Sequence, residues 1–223
     1  LAAALIADSH PGSTVVTDSV TSRGLTAFLE GSLGLKHLRF KRGYRNVINK
    51  SIELNEQGIE SDLAIETSGH AAYKENFFLD DGAYLATKIV IATAKCKKAG
   101  NGISSLISDL SEPLESQEVR LPIQGNNFAA VGDNIIEDLR ALTSSGELAE
   151  CTLEEPNYEG VRINFNNPSI KGWMLLRKSL HEPIMPLNFE SDVEGGCLKI
   201  AKLLIPLLSK YENLDIGKLK ELV

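Results

Sequence analysis

The chain has 223 residues, 43% hydrophobic and 24% charged, the balance of a soluble globular protein with room for one or two domains. Thirty acidic against 23 basic residues give a net charge of −7, which argues against bulk nucleic-acid binding. Three scattered cysteines, without a CxxC or Cys/His cluster, indicate neither a zinc site nor a disulfide framework, and no apolar run is long enough to span a bilayer. A reducing compartment is the simpler reading.

Residues 1–8, Leu-Ala-Ala-Ala-Leu-Ile-Ala-Asp, read as the end of a helix, followed by a turn at His10-Pro11-Gly12. They lack a Met and a basic leader, so the chain is expected to begin inside a longer protein. Thr14 to Thr17 is β-branched throughout and predicts a buried strand, with Asp18 and Ser19 at its carboxyl end. Leu25, Phe28 and Leu29 recur at helical spacing, and Lys36 to Phe40 reads as a second strand. A helix over Tyr44–Gln57 follows Gly43, then a strand over Asp62–Ile65 and a further one over Ala71–Glu75. Asp81 is placed to cap a helix running to Lys97, and a short helix is expected over Ile103–Leu110. Strands alternating with helices predict a mainly parallel, three-layer α/β domain over residues 1–112.

Ser111-Glu112-Pro113 marks a boundary. Beyond it come strands at Glu118–Ile123, Val161–Phe165, Gly172–Leu176 and Ile184–Phe189, helices at Asn134–Leu142 and Leu198–Leu208, and a charged tail. This grouping predicts a smaller α+β domain with an antiparallel sheet over residues 113–223. Trp173 and Met174 are expected in its core.

Four clusters could carry chemistry. In Glu66-Thr67-Ser68-Gly69-His70, an extended backbone would send Glu66, Ser68 and His70 to one face. Such a comb of acceptors and donors suits a polyhydroxylated ligand, and a strand end with a polar turn is the plainer reading. Lys36, His37, Arg39, Lys41, Arg42 and Arg45 make a basic run that is either a solvated face or an anion site before a helix N-terminus. Arg177-Lys178-Ser179-Leu180-His181-Glu182-Pro183 is either a polar turn or a phosphate loop built on a guanidinium fork. Asp80-Asp81 reads as a capping pair rather than a metal site, and no Gly-x-Ser-x-Gly nucleophile motif is present.

The first and third clusters resemble two loops of the α-D-phosphohexomutases, the family of phosphoglucomutase, phosphomannomutase and phosphoglucosamine mutase. Glu66-Thr67-Ser68-Gly69-His70, with Lys74-Glu75 and Asp80-Asp81-Gly82 downstream, looks like the sugar loop. Arg177, Ser179 and Pro183 match the phosphate loop, with Leu180 in place of the usual Asn, and Lys41-Arg42-Gly43 sits where a Lys-x-Gly segment reaches the sugar. The resemblance covers the third and fourth of four domains. It implies an isomerase that exchanges hexose 1-phosphate and hexose 6-phosphate through a hexose 1,6-bisphosphate. Glu66, Ser68, His70 and Lys41 would bind the sugar, and Arg177, Ser179 and His181 the phosphate. The phosphoserine segment and the Asp-Gly-Asp-Gly-Asp-Arg magnesium loop of the family are absent from this sequence. The expectation is therefore a substrate grip without catalytic residues of its own, partnered by N-terminal domains that hold Mg2+. A non-catalytic sugar-phosphate binding or regulatory module derived from a mutase is the alternative. The Leu180-His181-Glu182 variant resembles a branch of plastids and bacteria, so cytoplasm and plastid stroma are both compatible compartments.

Overall fold

The computed structural model describes residues 1–179 and 182–223. They form two compact units, Leu1–Glu112 and Pro113–Val223. Among the described residues, no helix is long and apolar enough to cross a membrane.

In the first unit, β1 (Thr14–Asp18), β2 (Lys36–Phe40) and β3 (Leu63–Ile65) run parallel, and β4 (Ala71–Tyr73) pairs antiparallel with β3, in the order β2-β1-β3-β4. The sheet is buried on both faces because its residues divide by alternation. Val15, Leu63 and Tyr73 share one face with Ala3, Ile6 and Leu29, while Val16, Ala64 and Ala72 share the other with Val47, Ile48 and Leu54. The second set includes three residues of α2 (Tyr44–Glu56), which covers that face. The first is covered by the N-terminal segment, by α1 (Arg23–Ala27) running into a π-helical turn at Phe28–Ser32, and by the start of α3 (Gly82–Lys98). The architecture is the expected three-layer α/β.

Three local expectations are corrected, and a fourth, the Asp81 cap, holds. Residues 2–9 form successive turns rather than a regular helix. The strand expected over Ala71–Glu75 stops at Tyr73, because Lys74–Asn76 is a 3-10 turn and Phe77 and Phe78 both take left-handed φ of 55°. Ile103–Ile107 is 3-10 rather than α. Asp81 does cap α3, its side chain accepting from Tyr84 N at 3.0 Å.

The second unit is an α+β fold on one five-stranded antiparallel sheet in the order β5-β9-β8-β7-β6. The strands are β5 (Glu115–Pro122), β6 (Cys151–Leu153), β7 (Val161–Phe165), β8 (Gly172–Leu176) and β9 (Ile184–Ser191). The inward residues Val161, Ile163, Met174, Leu176, Leu187 and Phe189 meet α4 (Phe128–Ser144) and α5 (Gly196–Leu208). Those helices present Ile135 and Leu139, and Ile200 and Leu204, at helical spacing. Trp173 is buried on the outward face instead, where its Nε1 donates to Glu190 and the Arg162 guanidinium lies 3.6 Å from its ring centroid. The expected charged tail is not one. Leu214, Ile216 and Leu219 are buried, and Gly217–Lys220 forms the short helix α6.

Candidate functional site

Glu66 follows the last residue of β3, at the same sheet edge as the carboxyl ends of β1 and β2. Open α/β sheets bind ligands beyond this edge. The loop is a tight turn, not an extended comb: Gly69 N donates to Glu66 O at 2.9 Å and Glu66 N to His70 O at 3.0 Å, with Gly69 at φ +93°. A side chain at that φ would be strained, which fits glycine there.

The turn brings Glu66 and Ser68 together by a different route from strand alternation. Gly43 N, at the start of α2, donates to Glu66 Oε1 at 2.6 Å, and Ser68 Oγ lies 3.4 Å from Oε2. Glu66 is 8% exposed, whereas Ser68 and His70 are exposed. One carboxylate oxygen is thus fixed by the α2 terminus, and the other keeps acceptor capacity beside a hydroxyl. His70 does not join that pair. Its Nδ1 lies 2.7 Å from Asp80 Oδ2, and its ring stacks on Tyr44 with centroids 5.1 Å apart. Asp80 is itself anchored by Ala71 N at 3.2 Å. Asp80 orients an imidazole, then, while Asp81 alone does the capping.

Beneath the loop, Thr67 Oγ1 donates to Asp18 Oδ2 at 2.7 Å. Asp18 is fully buried, and its Oδ1 makes no hydrogen bond. Burial pushes the Asp18 carboxyl above its usual range; the Thr67 hydroxyl and the Arg42 charge pull the other way, and Glu66 adds to the rise.

The basic run divides. His37 and Arg39 are structural: the His37 ring lies 2.8 Å from both Thr17 Oγ1 and Thr26 Oγ1, and Arg39 Nη2 donates to Ser22 O at 2.8 Å. Arg45 sits over the Tyr44 ring. Lys41 is exposed just past β2, and Arg42 is the cation that acts on Asp18. Lys74 and Glu75 turn away to Asp62 and Lys88 respectively.

In the second unit, Arg177 follows β8 and is 8% exposed. Its Nη1 lies 3.8 Å from Glu159 Oε1, and its N donates to Pro186 O at 3.2 Å. Ser179 N donates to Ile184 O at 3.0 Å, and Glu182 N lies 3.4 Å from Ser179 Oγ. Gly160 is pressed against this strand end. A Cβ there would meet Leu176 O at 2.1 Å and Arg177 Cα at 2.9 Å. Leu180 and His181 lie outside the described residues.

The sequence marks Asp18 only as a strand end and Asp80 only as half of a capping pair, and it gives no sign of Tyr44 or the Gly43 amide. None carries a local signal, because each acts through a partner distant in the chain. Nor do the loop residues suit magnesium. Glu66, Asp18 and Asp80 are held by Gly43, Thr67 and His70, and among the described residues the one convergent group of three possible metal ligands lies elsewhere and includes an imidazole.

Residues 1–113 match the family model described as phosphoglucomutase/phosphomannomutase, alpha/beta/alpha domain III. The phosphomannomutase/phosphoglucomutase of Pseudomonas aeruginosa is 31% identical over 192 residues, 85% of this chain and 36% of its own length. A phosphoglucomutase of Neisseria gonorrhoeae is 25% identical over 200 residues, 87% of this chain and 38% of its own length. Among solved structures, a phosphoglucomutase/phosphomannomutase family protein from Burkholderia thailandensis shares the fold with a TM-score of 0.71. It is 24% identical, over 93% of this chain and 40% of its own. The Aspergillus fumigatus N-acetylphosphoglucosamine mutase, in complex with GlcNAc-6P and magnesium, gives a TM-score of 0.55 at 13% identity, over 93% of this chain and 45% of its own. The chain spans 36% to 41% of the length of the curated relatives it matches. It belongs to the phosphoglucomutase/phosphomannomutase family of α-D-phosphohexomutases, whose C-terminal part it represents.

Proposed function

We propose that this chain is the substrate grip of a phosphohexomutase that interconverts hexose 1-phosphate and hexose 6-phosphate. The observation that carries the reading is the division of labour on Glu66: Gly43 N occupies Oε1, and Oε2 remains beside Ser68 to accept a sugar hydroxyl. Two neighbouring hydroxyls can then be read by one carboxylate and one hydroxyl. His70, oriented by Asp80 and stacked on Tyr44, supplies a third polar contact, and exposed Lys41 adds positive charge near the ring.

Arg177 and Ser179 take the phosphate that is not being transferred, with His181 as a third donor. A guanidinium presents two parallel N–H donors to phosphate oxygens, so Arg177 fixes orientation as well as charge. Glu159 beside it holds the fork in place before the substrate arrives. Positioning and charge stabilisation dominate phosphoryl transfer, and this chain's part is positioning. In such chemistry magnesium would neutralise charge on the transferring group, and further domains of the same protein would hold both it and the phosphoserine. The sugar is held first by one phosphate and then by the other, with a hexose 1,6-bisphosphate between the two states.

The test is a coupled assay for conversion of glucose 1-phosphate to glucose 6-phosphate, with magnesium and glucose 1,6-bisphosphate supplied. The 223-residue chain alone is expected to give no turnover. Metal-dependent turnover by the pure chain would overturn the assignment of the chemistry to other domains.

A further inference from the structure

The opposite edge of the first sheet, at the amino ends of β1 and β3, carries a cluster that the sugar loop does not use. We propose that His10, Glu60 and Asp62 bind a divalent transition-metal ion, zinc being the best match. His10 Nδ1 lies 3.4 Å from Asp62 Oδ2 and 4.0 Å from Glu60 Oε1, and one ligand atom of each residue lies within 4.8 Å of the others. Zinc bonds of about 2.0–2.2 Å set neighbouring ligand atoms of a tetrahedral ion roughly 3.3–3.6 Å apart. The His10–Asp62 edge already has that spacing. The Glu60 side chain, 56% exposed, is free of the core and can close the remainder by rotation.

The backbone under all three ligands is fixed. Glu60 O accepts from Thr14 N at 2.8 Å, His10 N donates to Ile6 O at 2.9 Å, and Ser13 N closes the turn onto His10 O at 3.2 Å. Asp62 is 6% exposed in its side chain, and its Oδ2 accepts from Ser13 Oγ at 2.7 Å while its N donates back to that hydroxyl at 3.0 Å. A hydroxyl behind a ligating carboxylate is the outer partner that sets ligand orientation in metal sites. An imidazole among the ligands favours zinc, cobalt or nickel over magnesium and calcium, which take oxygen sets. Three protein ligands leave one position for water or an anion. Lys74 Nζ, 4.0 Å from the other Asp62 oxygen, trims the negative charge of the site and so weakens binding rather than creating it.

Cobalt, titrated into the metal-free 223-residue chain, tests this. One equivalent is expected to produce a visible absorption band that zinc abolishes. His10→Ala and Glu60→Gln should each weaken cobalt binding at least tenfold, and Ser13→Ala by about tenfold. Lys74→Gln should tighten it, and His70→Ala should leave it unchanged. Glu60→Gln alters an exposed side chain, so it reports on binding even if His10→Ala fails to fold. Absence of the band at one equivalent, full affinity in Glu60→Gln, or loss of the band in His70→Ala would each overturn the site and leave His10–Asp62 as a simple polar contact.

Discussion

Replacing Glu66 separates the scaffold role of this residue from the binding role proposed for it. Its Oε1 takes the Gly43 amide at 2.6 Å, and Gly43 sits at φ +116° at the start of α2, half-buried. Glu66→Ala removes a charged acceptor and leaves that donor without one. A hydrogen bond to a charged group contributes about 1.5–3 kcal/mol, so the alanine chain should lose stability of that order. Glu66→Gln keeps one oxygen for Gly43 and should lose only about 0.5–1.5 kcal/mol, the charge-assisted part of the bond. For the ligand, the same loss of charge on Oε2 should weaken hexose phosphate binding about tenfold, or ~1.4 kcal/mol. Urea unfolding followed by far-ultraviolet circular dichroism gives the first pair of values, and titration calorimetry gives the second. An alanine chain within about 0.5 kcal/mol of wild type, the range of an ordinary surface change, would refute the claim that Glu66 anchors α2 to the loop.

Two further outcomes follow from the geometry within each unit. Folding raises the Asp18 carboxyl above its ordinary value of 3.8, chiefly by burial. The folded state therefore keeps this proton where the unfolded chain has released it, and stability falls as pH rises from the unfolded value through the folded one. Asp18→Asn should gain stability relative to wild type on going from mildly acidic to neutral pH; an identical difference at both, in urea unfolding, would contradict the assignment. Gly160→Ala places a Cβ 2.1 Å from Leu176 O at φ +59° and should cost about 1–3 kcal/mol, read from the fluorescence of Trp173, the chain's single tryptophan. Unchanged stability there would mean that the Glu159–Gly160 segment does not brace Arg177.

The parts of the fold visible in the sequence are those whose local pattern agrees with their tertiary setting. Thr14 to Thr17 is β-branched and enters a sheet covered on both faces, and Val161 to Phe165 alternates because one face meets the helices. The tail was obscured because Leu214, Ile216 and Leu219 are spaced among charges, and their burial depends on a core built by residues far upstream. Cys151–Leu153 is a three-residue edge strand, too short to show a period. At the candidate site, strand alternation does not describe how Glu66, Ser68 and His70 are arranged. A glycine turn closes the loop, so Glu66 and Ser68 meet across it while His70 swings to Asp80. Reaching Asp80 requires the paired left-handed residues Phe77 and Phe78, a conformation that phenylalanine does not advertise. The basic run misled for a similar reason: His37 and Arg39 look like surface charge, yet they stitch β2 to the segment around α1.

Titration calorimetry with glucose 6-phosphate tests the proposal that Arg177 takes the phosphate of a hexose phosphate ligand. Glucose and inorganic phosphate serve as partial ligands. Wild type is expected to bind glucose 6-phosphate more tightly than either partial ligand. Arg177→Ala should weaken glucose 6-phosphate at least about tenfold, since removing a charged partner costs about 1.5–3 kcal/mol, and leave the weak glucose response unchanged. Equal affinity for glucose 6-phosphate in wild type and Arg177→Ala would contradict the account.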